Sequence, residues 1–197
     1  VAGFLGVLIV VRPGFAEGST VFVALIDAAD LEGQVEAVAA LRAAGYNPVP
    51  HIPARFVRDE VDLKYRLDAF SKRAGVTDVL ALGGGAPQPI GKYDAAIQIL
   101  ETGAFQQAGI KRIGIAGHPE GNPDITKIHG EAMLLKAIKQ KNDWLKANNI
   151  AGFIATQFLF DANPVAAWAA NLRKEVVDLP VHVGVPGPAT IKTLVKY

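Results

Sequence analysis

The sequence predicts one parallel α/β domain, and three observations predict it. Short continuous apolar runs recur along the 197 residues. Between them lie stretches with apolar residues at three- and four-residue spacing, and glycines such as Gly45 and Gly75 stand where those stretches stop. Buried parallel strands read as such runs, and the helices between them are the crossovers that parallel pairing requires. Seven strand candidates with no low-complexity linker make a (β/α)8 TIM barrel over residues 1–197 the expected architecture. Typical barrels run about 250 residues, so this one is expected to lack its first helix and eighth strand. A doubly wound open sheet is the rival, but Arg12-Pro13-Gly14-Phe15 after the first run is not the dinucleotide fingerprint such a sheet would carry there.

Residues 4–11 are apolar and β-branched and read as the first strand, and residues 21–26 as the second. The few residues between them are short for a parallel crossover, so a hairpin or an absent helix is expected there. From that point the rhythm is regular. Residues 31–44 form a helix, with Val35, Val38, Ala39 and Leu41 on one face, and 48–52 a strand. Residues 58–74 form a helix, 78–82 a strand, 93–105 a helix and 112–116 a strand. A long basic helix over 131–148 comes next, then a strand at 152–156, a helix at 164–174, a strand at 181–185 and a final helix beginning at 189.

Composition bounds the partners. Twenty basic residues against 19 acidic ones give a net charge of +1. No run of five or six like charges occurs, which argues against nucleic acid and anionic membrane as partners. The chain has no cysteine, which removes disulfides, thiolate nucleophiles and thiolate metal sites together. The longest apolar run is far short of the ~20 residues of a membrane span, and no basic residues precede it as a signal peptide would require. A cytoplasmic protein is the expectation.

In α/β folds the chemistry sits where the strands end. The richest such end is Arg112-Ile-Gly-Ile-Ala-Gly-His-Pro-Glu-Gly-Asn-Pro-Asp124, where an apolar run leads into an imidazole, two carboxylates and an amide. His118 and Glu120 there could form an acid/base pair, or Glu120 could accept from backbone amides and orient the loop. Gly83, Gly84 and Gly85 after the 78–82 strand permit close approach of a ligand to the backbone, or simply make a tight turn. His51 lies between two prolines at another strand end, where a hydrogen-bonded structural role competes with a catalytic one. Gln157 precedes Phe158-Leu159-Phe160-Asp161, and its amide beside aromatics suits a flat heterocycle, or caps a turn. Asn142, Lys146, Lys139 and Lys136 share one helix face, which suits a phosphate or ribose or is merely solvated. The four histidines lack metal-ligand spacing.

Taken in order, these residues resemble the methylenetetrahydrofolate reductase family, a flavin-dependent barrel of one-carbon metabolism. The resemblance runs from about residue 21 to 196. It is densest in Ala116-Gly-His-Pro-Glu-Gly-Asn-Pro, similar to the family's Ala-Gly-Tyr-Pro-Glu-Gly-His-Pro, and in Ala155-Thr-Gln-Phe-Leu-Phe-Asp, similar to Ile-Thr-Gln-Phe-Phe-Phe-Asp. Together with Pro50-His-Ile-Pro-Ala-Arg, these forms resemble a shorter, divergent bacterial branch. The resemblance implies FAD as cofactor and NADH or NADPH as co-substrate. It makes His51, the loop Gly83, Gly84 and Gly85, Ala116, Gly117, His118, Asn142 and Lys146 the FAD-binding residues. Gln157 would bind the pterin of a small-molecule folate, and Phe160 would line that pocket. The implied reaction reduces 5,10-methylenetetrahydrofolate to the 5-methyl form.

The departures from the family are specific. Val10 stands where the family has its proton-donating glutamate, Gly83 and Gly85 replace an Arg and an Asp, and Ala24 replaces a Thr. Glu120 is the carboxylate near the motif that could act as the acid instead. The residues also admit two other readings. A flavin- and folate-binding homologue that has lost its acid could assist a methyltransferase, and a cofactor-free lyase would need a Schiff-base lysine at a strand end, where none stands. The exposed edges of an incomplete barrel would call for a homo-oligomer or a partner subunit.

Overall fold

The computed structural model describes residues 18–25, 27–159 and 161–185. The expected strand at 4–11, Val10, Phe160 and the helix from 189 lie outside the described residues. Within them, six strands form one sheet: β1 (Thr20–Val23), β2 (Asn47–Pro53), β3 (Asp78–Leu82), β4 (Arg112–Gly117), β5 (Ala151–Phe158) and β6 (Val181–Gly184). Their spatial order is their chain order, and every neighbouring pair is parallel. The helices are α1 (Leu31–Ala43), α2 (Glu60–Asp68), α3 (Ala96–Leu100), α4 (Ala104–Gln107), α5 (Pro123–His129), α6 (Ala132–Ala147) and α7 (Ala162–Lys174).

The sheet curls. In a flat sheet β1 and β6 would stand five interstrand spacings apart, roughly 24 Å. Yet the rings of Phe22 on β1 and His182 on β6 are 6.2 Å apart, and Phe22 is 6.0 Å from Phe153 on β5. Strand alternation divides the apolar residues into two cores. Phe22, Val49, Leu80 and Phe153 pack together inside the curl, while Val21, Val23, Ile52, Val79, Ala81, Ile113, Ile115 and Ile154 pack outward against the helices. Gly114 makes the inner core possible, since a Cβ there would lie 2.3 Å from the Phe153 ring and 2.9 Å from Leu80. The described residues form an α/β fold with a curled six-stranded parallel sheet, as a partial barrel does; the open-sheet rival does not fit a first and last strand in such proximity.

Most elements lie within a residue or two of expectation, with informative differences. The helix expected over 93–105 is two short helices. Thr102 Oγ1 donates to Ile99 O at 2.7 Å, and Gly103 at φ 75 turns the chain before α4. The 58–74 helix narrows to α2, capped by Asp59, and runs on through a wide π-type turn over Ala69–Arg73. Helix α5 is additional. Asn122 caps it, accepting from Asp124 N–H, and Pro123 sits in its first turn. That Asn-Pro-Asp run is itself a helix-start signal.

Candidate functional site

The C-terminal ends of the strands form the mouth of the curl, and most of the sequence-derived candidates are there. His51 faces inward from β2, its ring 6.2 Å from Phe22. Among the described residues its Nε2 is buried without a hydrogen-bond partner, and burial brings its imidazole down to about 4, so the ring is neutral at physiological pH. The backbone carbonyls of His51 and Val23 both accept from the buried Gln34 side chain of α1, at 3.3 and 3.0 Å. Gln34 thus holds the ends of β1 and β2 together, a role hidden in the sequence because it sits on an otherwise apolar helix face.

The glycine loop after β3 is shaped by contacts rather than by freedom alone. Gly84 has φ 96, and a Cβ on it would lie 2.9 Å from Pro53 Cβ, whereas a Cβ on Gly85 would meet open space. Gly83 O accepts from the Arg55 N–H at 2.9 Å. The Arg55 guanidinium ties the loop to the stretch ahead of α3: Nε donates to Asp94 Oδ1 at 2.9 Å, Nη1 to Ala86 O at 3.0 Å, and Nη2 pairs with Asp94 at 2.9 Å. Arg55 is the organising residue of this wall. In the sequence it showed only as the last letter of the His-Ile-Pro-Ala-Arg motif.

At the end of β4, Ala116 lies in register with Ala155, and by alternation both face inward. Gly117 faces the other way, where a Cβ would lie 2.5 Å from Ile154 and 2.8 Å from Trp168, so α7 can pack close. His118 again faces inward. Continuing the register Gly117↔Thr156 by one residue sets it beside Gln157 on β5. His118 Nδ1 stands 3.5 Å from the Asn122 amide nitrogen, and burial, followed by the nearby Lys141 charge, lowers its pKa. Glu120 is exposed on the tight turn closed by the Gly121 N–H donating to His118 O at 3.1 Å. Gln157 is exposed at the mouth, while its own carbonyl accepts from Thr156 Oγ1, which in turn accepts from the Gly184 N–H.

Helix α6 separates the lysine face read from the sequence into different roles. Lys139 pairs with Glu175 at 2.6 Å, and exposed Lys146 donates to Val176 O at 3.1 Å, so both are turned toward the segment after α7. Asn142 is 2% exposed. Its Nδ2 donates to Asp143 at 3.3 Å, while its Oδ1 is buried with no partner among the described residues. Lys141, which that spacing leaves out, is partly buried, and burial brings its ammonium down to about 8. The signal for it was its place one residue from a buried amide on the long helix.

Among the described residues no cluster of His, Asp and Glu could hold a metal ion, and no helix is long and apolar enough to cross a membrane. The mouth offers neutral imidazoles, an amide beside one of them and an arginine-braced glycine loop. That arrangement can hold a polar, partly anionic, planar ligand through hydrogen bonds and stacking. No family profile matches the chain. The chain is similar to methylenetetrahydrofolate reductase 2 of Saccharomyces cerevisiae, with 24% identity over 177 residues, which is 85% of this chain and 26% of that protein. It thus spans about a quarter of the length of the curated relative it matches.

Proposed function

We propose that this chain is the flavin-binding barrel of a cytoplasmic oxidoreductase of folate one-carbon metabolism, of a short, divergent bacterial kind, reducing 5,10-methylenetetrahydrofolate with NADH or NADPH. The observation that carries the reading is the gathering of His51, the Gly83–Gly85 loop, His118 and Gln157 at one end of a curled parallel sheet, in a chain similar to a methylenetetrahydrofolate reductase.

The residues present fit FAD. His51 Nε2 and Asn142 Oδ1 are buried polar atoms that lack partners among the described residues, and a Cβ on Gly85 would meet open space. FAD when bound would supply hydride transfer from the nicotinamide to the folate. His51, the glycine loop, Ala116, Gly117, His118, Asn142 and Lys146 would hold it. A neutral His51 offers a hydrogen bond without a charge. Gln157 would orient the pterin edge through its amide, together with Phe160. Glu120 would hold the proton that the folate nitrogen takes up.

One observation favours a second reading. Glu120 is exposed and makes no hydrogen bond or ion pair among the described residues, so nothing there holds it toward a folate nitrogen. A homologue that binds flavin and folate but lacks an efficient acid, acting as a subunit for a methyltransferase, would look the same.

An absorbance spectrum of the purified protein with FAD, followed anaerobically by NADH and then methylenetetrahydrofolate, separates the two. Bleaching by the nucleotide and recovery on adding the folate supports the reductase. Bound flavin that bleaches but is not reoxidised by the folate favours the second reading, and a chain that takes up no FAD overturns both.

A further inference from the structure

The pairing of β5 changes part-way along the strand. On its β4 side the register runs unbroken from Arg112↔Ala151 to Gly117↔Thr156. On its β6 side Ile154↔Val181 and Ala155↔His182 are regular, but the next pair is Phe158↔Gly184, three residues on along β5 against two along β6. One extra residue is therefore taken up in β5 at Thr156 and Gln157, which makes a β-bulge. It falls where the strand reaches the mouth, and a bulge in such a place re-aims a side chain.

Thr156 spans the irregularity. It lies in register with Gly117, whose Cβ direction is toward Ile154 and Trp168, so by alternation Thr156 is on the outer side of the sheet and Gln157 on the inner. Thr156 is 7% exposed. Its Oγ1 accepts from the Gly184 N–H at 3.0 Å and donates to the Gln157 carbonyl at 2.7 Å. A hydroxyl can do both because it has one donor and two acceptor lone pairs. It thereby ties β6, just past the extra residue, to the backbone of Gln157, whose own side chain is exposed at the mouth.

We propose that Thr156 is a positioning residue, whose hydroxyl holds the bulge that sets where Gln157 presents its amide to the edge of a pterin. The proposal rests on the folate reading of Gln157 and adds the residue that places it. Thr156 faces away from the mouth and acts through Gln157 alone. Precision matters there, since a shift of about 1 Å in the Gln157 backbone takes an N–H···O contact of about 2.9 Å out of bonding range.

Thr156→Val keeps the shape of the side chain and removes the hydroxyl, whereas Thr156→Ser keeps the hydroxyl and removes the methyl group. The full chain and both variants are titrated with FAD, followed by flavin fluorescence, and with 5-formyltetrahydrofolate, followed by calorimetry. Hydrogen exchange at the Gly184 amide is measured by NMR. Thr156→Val is expected to weaken binding of 5-formyltetrahydrofolate about tenfold, to leave FAD affinity within about twofold, and to speed exchange at Gly184 about tenfold, as the loss of one net hydrogen bond does. Thr156→Ser is expected to stay close to the parent in all three. Unchanged 5-formyltetrahydrofolate affinity in Thr156→Val, equal losses for FAD and the pterin, or the same loss in Thr156→Ser overturns the proposal. A parent chain that takes up no pterin defeats the folate reading by itself. Exchange at Gly184 then decides whether Thr156 holds the bulge, and a rate unchanged in Thr156→Val overturns that.

Discussion

At the N-terminal ends of the strands Arg112 lies over the Phe153 ring at 4.5 Å, pairs with Asp78 at 3.7 Å and donates toward His182 Nε2 at 3.3 Å, while Asn47 donates to Asp78 at 3.5 Å. With Phe22 this floor takes one residue from each of the six strands, and its charges are paired. At the C-terminal end of β2, His51 Nε2 is left without a partner among the described residues, as are Asn142 Oδ1 and the Lys141 ammonium on α6, outside the sheet. A histidine and an asparagine are satisfied in the floor, whereas His51 and Asn142 each bury an atom without a partner among the described residues. Unpaired buried groups cost free energy, so they persist where a ligand or a reaction uses them. On the proposed reading the floor carries stability, and the mouth gives up some of it for ligand binding.

The contrast is broken most sharply from the floor. Phe153 is 1% exposed and supports both Arg112 and His182. Phe153→Ala should cost about 4 kcal/mol in urea unfolding, through lost burial and the cavity left inside the curl. A loss below about 1 kcal/mol would mean that the inner core is not the framework described.

The next effect belongs to the mouth and depends on pH. His51 titrates at about 4 in the folded chain against 6.5 when exposed. Its folded pKa is the lower, so the stability it contributes is full above 6.5 and is lost as the pH falls toward 4, where the unfolded chain takes up a proton that the folded one refuses. The full loss is about 3 kcal/mol. His118 shifts in the same direction. His51→Gln should flatten the fall in stability between pH 6.5 and 4 relative to the parent, and parallel curves for the two proteins would contradict this.

Lys141 tests the trade-off with the opposite sign. Keeping its charge in a site that holds the ammonium at about 8 costs the native state about 3 kcal/mol at neutral pH. Lys141→Met, which keeps the length and removes the charge, should therefore raise stability by about 2 kcal/mol at pH 7, a gain that vanishes toward pH 10.5. A destabilised variant at pH 7 would show that Lys141 has a partner that the geometry does not reveal.

Legibility in the sequence divides along the same line. The strands and most helices were readable because apolar period and glycine stops are local: Gly45 and Gly75 do end their helices, at φ 85 and 60. The mouth was legible as a set of residue types at strand ends. Which lysine turns inward was not. Three- and four-residue spacing shows that Lys139, Asn142 and Lys146 share a side of α6, but not which side meets the sheet. The buried stripe proved to be Ile138, Asn142 and Leu145, with Lys141 beside it. Arg55 and Gln34 were hidden for a related reason, since their partners lie across the fold, at Asp94 and at the ends of β1 and β2.

The turn between α7 and β6 is an exception on the floor side, and it yields the smallest effect. Val176 has φ 61 there and is 72% exposed. A β-branched residue in the left-handed region is strained by contact between its Cβ and the backbone, a cost of about 1–2 kcal/mol. Its side chain gains little burial in return. The conformation is held by its neighbours: Glu175 pairs with Lys139, Lys146 donates to the Val176 carbonyl, and Val177 is buried. None of these contacts uses the Val176 side chain. Val176→Gly removes the strain, keeps the carbonyl and gives back part of the gain through a more flexible unfolded chain. A net rise of about 1 kcal/mol, or roughly 2–4 °C in Tm for a chain of this size, is expected. FAD uptake should not change, because the substitution keeps the Val176 carbonyl that accepts from Lys146. If the substitution instead lowered Tm, the Val176 side chain would have a packing role, and the turn would belong with the paired floor after all.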